Sequence, residues 1–306
     1  MRAAILKEVY NQMKQNKDTY FLTGDLGFHS LEEIEREFRE RFINAGVAEQ
    51  NMIGIAAGLA LSGKKVFVYS IIPFLLMRCF EQIRDDICFH DLNITLLGIG
   101  AGLAYGVLGG THFALEDVAI LRSLPNIGIF SPADQLEAGL GLKYLQKYQH
   151  PVYIRIGGRE EPDVYEKPYN FEFGKGVVLR EGKDAVIFSS GPIVSEVLKT
   201  ATILTEKNKI KTAVIVIHTI KPIDKDLIIG KAKNAKKIFV VEEHCKVGGL
   251  GSAVSEILSE FCPGVKVVRI GTDTNVISQV GLRSYLRKQL GLDFQGIHST
   301  IFGQLK

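Results

Sequence analysis

The chain of 306 residues is 46% hydrophobic and 23% charged, too apolar for a disordered polymer and too long for one core, so two domains of roughly 150 residues each are expected. A formal charge of +3, from 37 basic and 34 acidic residues with no Lys/Arg-rich run, excludes the footprint of a nucleic-acid binder. Four scattered cysteines, Cys79, Cys88, Cys245 and Cys262, have neither CxxC nor zinc spacing and read as reduced thiols of a cytoplasmic protein.

The charged start, MRAAILKEVYNQMKQNK, is no signal peptide. Residues 1–16 read as an amphipathic helix with Ile5, Val9 and Met13 on one face. A short strand over 20–23 runs into GDLG, and 49–62, EQNMIGIAAGLALS, reads as a helix of small residues suited to close packing. A strand over 66–69 precedes a helix over 74–89, and 94–99 is a strand. Residues 92–115 carry no Asp, Glu, Lys or Arg, long enough to cross a membrane. Six glycines with Asn93, Thr95, Thr111 and His112 make that stretch a buried strand and a Gly-rich loop instead, and no membrane partner is expected. A helix over 115–124, a strand over 127–130, a helix over 133–149 opened by Ser131-Pro132, and a strand over 152–156 follow. Strands alternating with helices predict a mostly parallel sheet covered on both faces.

Residues 157–171 lose both periods and are rich in Gly, Pro, charge and Tyr. They mark a boundary: a first domain over 1–160, a linker over 161–175 and a second domain over 176–306. The second half alternates again, with strands over 185–189, 212–217, 237–242 and 265–270 and helices over 193–207, 225–234 and 248–261. The fold class is therefore α/β with two doubly wound domains, the second smaller, and no solenoid repeat.

Several familiar motifs are missing: GxGxxG, GxxxxGK[ST] and HExxH do not occur, and the seven histidines lack metal spacing. Gly24-Asp25-Leu26 followed by Asn51 imitates a GDG…N metal motif, but the third glycine is absent and Asn51 falls inside a helix. Asp25 thus reads as a turn residue and no metal site is assigned to this chain. Three positions ask for more than a structural explanation. Glu49 opens a helix of small residues, where a carboxylate could serve simply as a dipole partner. His112 follows Gly109-Gly110-Thr111 at the end of the Gly-rich loop, where it could be a surface or capping residue. Arg155 lies inside an apolar strand and needs an anion, either a carboxylate of the fold or a phosphate of a substrate. All three fall near the carboxyl side of strands, where open α/β sheets place their ligands.

GVAEQNMIGIAAGLALSGKKVFVYS, GGTHFALEDVAILRSLPNIGIFSPADQLEA, HTIKPID and VVEEHCKVGGLGSAVSE, in this order, resemble the C-terminal half of transketolase in the form found as a separate subunit. The resemblance spans essentially the whole chain. It implies a pyrimidine-binding domain for thiamine diphosphate, and then the C-terminal domain shared with deoxyxylulose phosphate synthase and the β-subunits of 2-oxo-acid dehydrogenases. Glu49 takes the place of the glutamate that hydrogen-bonds N1′ of the aminopyrimidine. Phe74 takes that of the aromatic stacked on the ring, with Ile71 and Met77 in its apolar wall. His112 matches the histidine facing the reacting carbonyl. Arg155, and Arg159 as a second, align with the arginine that grips a substrate anion. Asp25 stands where the family places an acid near the thiazolium. The second domain is expected to contribute little chemistry.

The resemblance also implies what is missing. The half of transketolase carrying GDG…N, which binds diphosphate and Mg²⁺ (or Ca²⁺), is absent, so an N-terminal partner subunit is expected to supply it in an α₂β₂ assembly. Leu108, Gly110 and Phe113 replace polar or proline positions of the GPTHQ segment, and Gly100 and its neighbours replace a histidine. Those groups contact substrate hydroxyls in sugar-phosphate transketolases, so the usual pentose phosphates are not assumed as substrates. The leading expectation is ketol transfer between a ketose and an aldehyde, on sugar or sugar-phosphate substrates. A decarboxylating thiamine-diphosphate enzyme and a silent scaffold are the alternatives. The joint presence of Glu49, His112 and Arg155 speaks against a scaffold, which needs none of them.

Overall fold

The computed structural model describes residues 1–158, 161–233, 235 and 237–306. Among them, twelve strands form two sheets. The first-half strands are β1 (Thr19–Thr23), β2 (Phe42–Asn44), β3 (Lys65–Ile71), β4 (Ile94–Ile99), β5 (Gly128–Phe130) and β6 (Val152–Ile156). The second half holds β7 (Val177–Arg180), β8 (Ala185–Ser189), β9 (Thr212–Val216), β10 (Thr219–Lys221), β11 (Ile238–Cys245) and β12 (Val267–Thr272). The first sheet runs β10-β5-β6-β4-β3-β1-β2 and the second β12-β11-β8-β9-β7. Pairing is parallel except where β10 meets β5 and β7 meets β9.

Period-two alternation explains why both faces need helices. Along β3, Val66 and Val68 enter a core with Met52, Ile53 and Ala56 of the helix Glu49–Leu61. Phe67 and Tyr69 point the other way, onto Ile5, Val9 and Met13 of the helix Arg2–Gln15. The small residues Ala56 and Ala57 let the helix Glu49–Leu61 lie close to the sheet. In the second sheet, Ile187 meets Val197 and Ala201, while Phe188 joins the core that holds Leu250 and Val254. β10 is a crossover, a second-half strand that closes the edge of the first sheet; beside it Ser131 N donates to His218 O at 2.7 Å.

The strands and most helices lie where periodicity puts them, with instructive exceptions. The helix expected over 74–89 is three pieces, Ile72–Leu76, Phe80–Gln82 and a π-helical turn Ile83–Cys88. The Gln50 side chain takes the Arg78 carbonyl at 2.9 Å, diverting it from helical bonding at the break. The helix expected over 133–149 is Gln135–Tyr144, with Asp134 accepting from Glu137 N at 2.9 Å as its N-cap, and its end tightens into the 3₁₀ turn Leu145–Lys147. The helix expected over 115–124 is the shorter Asp117–Arg122. That expected over 225–234 is Lys225–Ala232, and Asn234 lies outside the described residues. The short strands β2, β7 and β10 and the helices Glu32–Glu37, Arg283–Gln289 and Phe294–Leu305 carry too little or too late a pattern to be read from sequence. Among the described residues no helix is long and apolar enough to cross a membrane.

Candidate active site

Parallel strands aim their carboxyl ends at one edge of the sheet, and four of them deliver residues to a common place. β2 leads to Glu49, the first residue of its helix and 2% exposed. β3 ends at the half-buried Ile71 and leads to Phe74 and the exposed Met77. β4 leads into the loop 100–116, which carries His112 on the 3₁₀ turn Gly110–His112. β1 ends before Asp25, and a β-carbon placed on Gly24 would touch Glu49 Cγ at 3.5 Å.

Ring and charge contacts link these loops. Arg78 Nη1 donates to Glu49 Oε2 at 2.8 Å. The Arg78 guanidinium lies 4.5 Å from the Phe74 ring centroid. Phe74 and His112 meet edge-on at 5.0 Å, and His112 is followed by Tyr105 at 6.4 Å. The Thr111 hydroxyl lies 3.0 Å from His112 Nδ1 and helps set the imidazole's direction. Asp25 sits in a left-handed turn (φ +54°) and is exposed. Its N–H donates to Asn44 Oδ1 at 2.9 Å, and Asn44 Nδ2 donates back to Asp25 Oδ1 at 3.2 Å. Glu49, Phe74 and His112 are thus brought together, with Asp25, Ile71 and Met77 at their border.

Arg155 is not among them. It is 3% exposed, donates to Asp117 at 2.7 and 3.2 Å, and bonds the carbonyls of Ala114 and Glu243. Tyr153 adds its hydroxyl to Asp117 at 2.7 Å. The strand arginine therefore finds a carboxylate of the fold, Asp117, through Nε and Nη2, while Nη1 takes part in none of these bonds. Burial alone would raise the Asp117 carboxyl, but Arg155 and His244 hold it below the usual carboxylate range. Arg159 lies outside the described residues.

The second domain does more than the sequence suggested. Glu243 Oε1 accepts from Leu103 N, inside the His112 loop, at 3.2 Å, and the same carboxylate is held by Arg283 and Arg287. Burial pushes it up, and the two arginines overcome this and keep it well below the ordinary value. Cys245 N donates to Leu115 O at 2.8 Å and Gly281 N to Gly106 O at 3.1 Å. Phe113, at the family's glutamine position, turns away from the site to pack with Leu103, Leu115 and Leu286. At Gly100 (φ +91°) a β-carbon would lie 2.3 Å from the Tyr105 ring, so Tyr105 fills the space that a larger residue there would need.

Arg78, Tyr105, Asn44, Asp117 and Glu243 escaped the sequence reading. Acidic Glu242 and Glu243 inside an otherwise apolar strand were the one available signal, since buried charges are paired. The others become site residues only through contacts between distant segments.

The model of the transketolase pyrimidine-binding domain matches residues 1–160, and that of the transketolase C-terminal domain matches 174–297. The chain belongs to the transketolase family. Within it the chain corresponds to the C-terminal half made as a separate subunit. It is 38% identical to an apulose-4-phosphate transketolase subunit of Phocaeicola vulgatus, over 94% of this chain and 91% of that one. It is 34% identical to a 6-deoxy-6-sulfo-D-fructose transketolase subunit of a Clostridium species, over 86% and 81% of the two chains. A solved split-gene transketolase, described as an inactive β4 tetramer, superposes with a TM-score of 0.88 at 34% identity, covering 99% of this chain and 97% of that one.

Transketolases are thiamine-diphosphate-dependent transferases, and the residues present fit that cofactor's aminopyrimidine. Glu49 offers a buried carboxylate with Oε1 free of donors among the described residues, and Phe74 offers a half-buried ring beside it. The same residues hold no metal cluster of three or more His, Cys, Asp or Glu.

Proposed function

We propose that this subunit transfers a two-carbon ketol unit from a ketose donor to an aldehyde acceptor. We further propose that it does so in an α₂β₂ assembly with a partner subunit carrying the GDG…N motif, which binds the diphosphate and Mg²⁺ or Ca²⁺. The site then falls within a pyrimidine-binding domain over 1–160, followed by a linker over 161–175 and the C-terminal domain over 176–306, in a cytoplasmic enzyme with reduced cysteines. The observation that carries the reading is the buried Glu49 carboxylate, joined through Arg78 to Phe74, whose ring meets His112 edge-on, across three separate loops.

Thiamine diphosphate supplies, when bound, a thiazolium carbon that adds to and departs from carbonyl carbon. The roles of this chain's side chains follow from their chemistry. Glu49 would accept a hydrogen bond from N1′–H and so favour the imino tautomer, whose 4′-nitrogen serves as a base. Phe74 stacks on the ring, with Ile71 and Met77 as the apolar border that keeps water off it. His112 donates to the substrate's carbonyl or hydroxyl oxygen, and Asp25 places a negative charge near the thiazolium. The two relatives named above act on ketoses ending in an anionic phosphate or sulfonate, and we propose an anionic sugar here as well. Arg159, with Arg155 whose Nη1 is not used by Asp117, is the guanidinium proposed to bind that anion.

Affinity purification from native cells tests the assembly, and a donor screen on the recovered complex tests the reaction. Expected are a stoichiometric partner with GDG and a downstream Asn, ketol transfer without CO₂ release, and loss of most activity in Glu49→Gln. CO₂ release from a 2-oxo-acid donor would favour the decarboxylating reading. Full activity of the Glu49→Gln complex would leave only a scaffold.

A further inference from the structure

Arg78 combines two contacts that no other described residue makes. It donates to Glu49 Oε2 at 2.8 Å, and its guanidinium lies over the Phe74 ring at 4.5 Å. Those are the two partners assigned above to the aminopyrimidine: a carboxylate that accepts a ring N–H and an aromatic face that takes a flat, electron-poor ring. A guanidinium is itself planar, carries N–H donors at its rim and stacks on aromatic rings. We infer that Arg78 is a built-in substitute for the aminopyrimidine, holding Glu49 and Phe74 in the unloaded subunit and leaving both when the cofactor enters. The inference rests on the cofactor assignment of Glu49 and Phe74.

The two ends of the pair differ in the way this exchange requires. Glu49 is 2% exposed, and a buried carboxylate with no donor is costly, so the empty site needs a resident cation. The Arg78 side chain is 45% exposed, and its long stem lets the head return to water with little loss of packing. Exchange is therefore cheap for Arg78 and keeps Glu49 partnered throughout. The backbone at Arg78 is prepared for it as well. The helix that began at Ile72 has ended, and the Gln50 side chain pins the Arg78 carbonyl at 2.9 Å, so the side chain moves on a fixed base. In the full cycle no covalent bond is made or broken: one hydrogen bond and one stacking contact pass from the guanidinium to the cofactor ring.

A residue that must be expelled weakens binding, so removing it strengthens binding. The test is the affinity of the assembled complex for thiamine diphosphate at saturating Mg²⁺, by titration calorimetry, for wild type, Arg78→Ala and Arg78→Gln. Expected is about threefold to tenfold tighter binding in both variants, the range of an exposed-side ion pair plus a cation–π contact. The isolated subunit should melt lower in Arg78→Ala, because Glu49 then lacks its partner, while the thermal shift produced by cofactor in the complex grows. In a Glu49→Gln background the gain from Arg78→Ala should shrink, because the charged half of the competing contact is gone. Unchanged or weaker cofactor binding in both Arg78 variants would overturn the inference and make Arg78 a permanent part of the site. If Glu49→Gln alone leaves cofactor affinity unchanged, it is the cofactor assignment that fails, whatever Arg78 does.

Discussion

A guanidinium inside an apolar strand must find a negative charge, and the sequence leaves two kinds open to Arg155. The first-domain residue Asp117 answers it, with Tyr153 sharing the same carboxylate. The chemistry of the residue was legible, but its partner, thirty-eight positions away, was not. Removing Arg155 therefore separates its structural pairing from a substrate contact. Arg155→Ala leaves Asp117 buried without its cation, and unfolding in urea should show a loss of about 3–5 kcal/mol. The KM of the surviving folded complex for an anionic sugar stays near wild type if that pairing is its whole role. A variant of normal stability with a sharply raised KM would return Arg155 to the substrate. Glu49 is the converse case: its place at a helix start offered only a dipole partner, and the fold gives its buried carboxylate the Arg78 guanidinium at 2.8 Å.

At the scale of elements, the loop 100–116 is where the chain departs most from the family segment, and the departures account for one another. Gly100 takes a left-handed φ of +91°, and the Tyr105 ring occupies the space beside it. Tyr105 in turn flanks His112. Gly100→Ala adds a strained backbone conformation and a β-carbon 2.3 Å from that ring. Thermal or denaturant unfolding should show a cost of about 1–3 kcal/mol. The His112 ring resonances should shift, because Tyr105 has to move. An unshifted His112 spectrum would mean that Tyr105 does not set the imidazole's surroundings. The broken helix after β3 teaches the same lesson in reverse. Periodicity ran on through 74–89, yet Gln50 captures the Arg78 carbonyl and the helix stops, which is how Arg78 comes to face Glu49.

At the scale of the molecule, the two halves meet through charges buried between them. His244, at the end of β11, is 2% exposed, with Nδ1 at 2.7 Å from its neighbour's carbonyl, the Cys245 oxygen. Its Nε2 has no hydrogen-bond partner and lies 3.8 Å from Asp117 Oδ1, with Arg155 and Glu242 alongside. Burial pushes the imidazole down to about 4, though Asp117 pulls it up. The folded state then keeps His244 neutral while the unfolded chain protonates it below about 6.5. Stability from this residue is fully present above pH 6.5 and is lost as pH falls toward 4, by up to about 3 kcal/mol. Glu242, raised to about 7 by burial, works the other way and gains stability as pH falls from 7 to 4.5. Melting curves from pH 7 to 4 should therefore show wild type losing more stability than His244→Gln. Parallel curves would remove His244 from the acid response of the interface.

Local information determined a great deal here. Period-two strands and amphipathic helices depend on neighbours a few positions apart, so the α/β class and most elements followed from the chain alone. Motif order carried the family, and residue chemistry singled out Glu49 and His112. What a side chain touches across the fold is a different matter. Whether Arg155 meets a substrate or Asp117, whether Phe113 faces the site or the second domain, and whether Glu49 waits alone or with Arg78 depends on segments far apart in sequence. Burial makes each such pairing nearly obligatory once the segments meet, because an unpaired charge or an exposed ring costs too much to leave. Only the tertiary structure decides which segments those are.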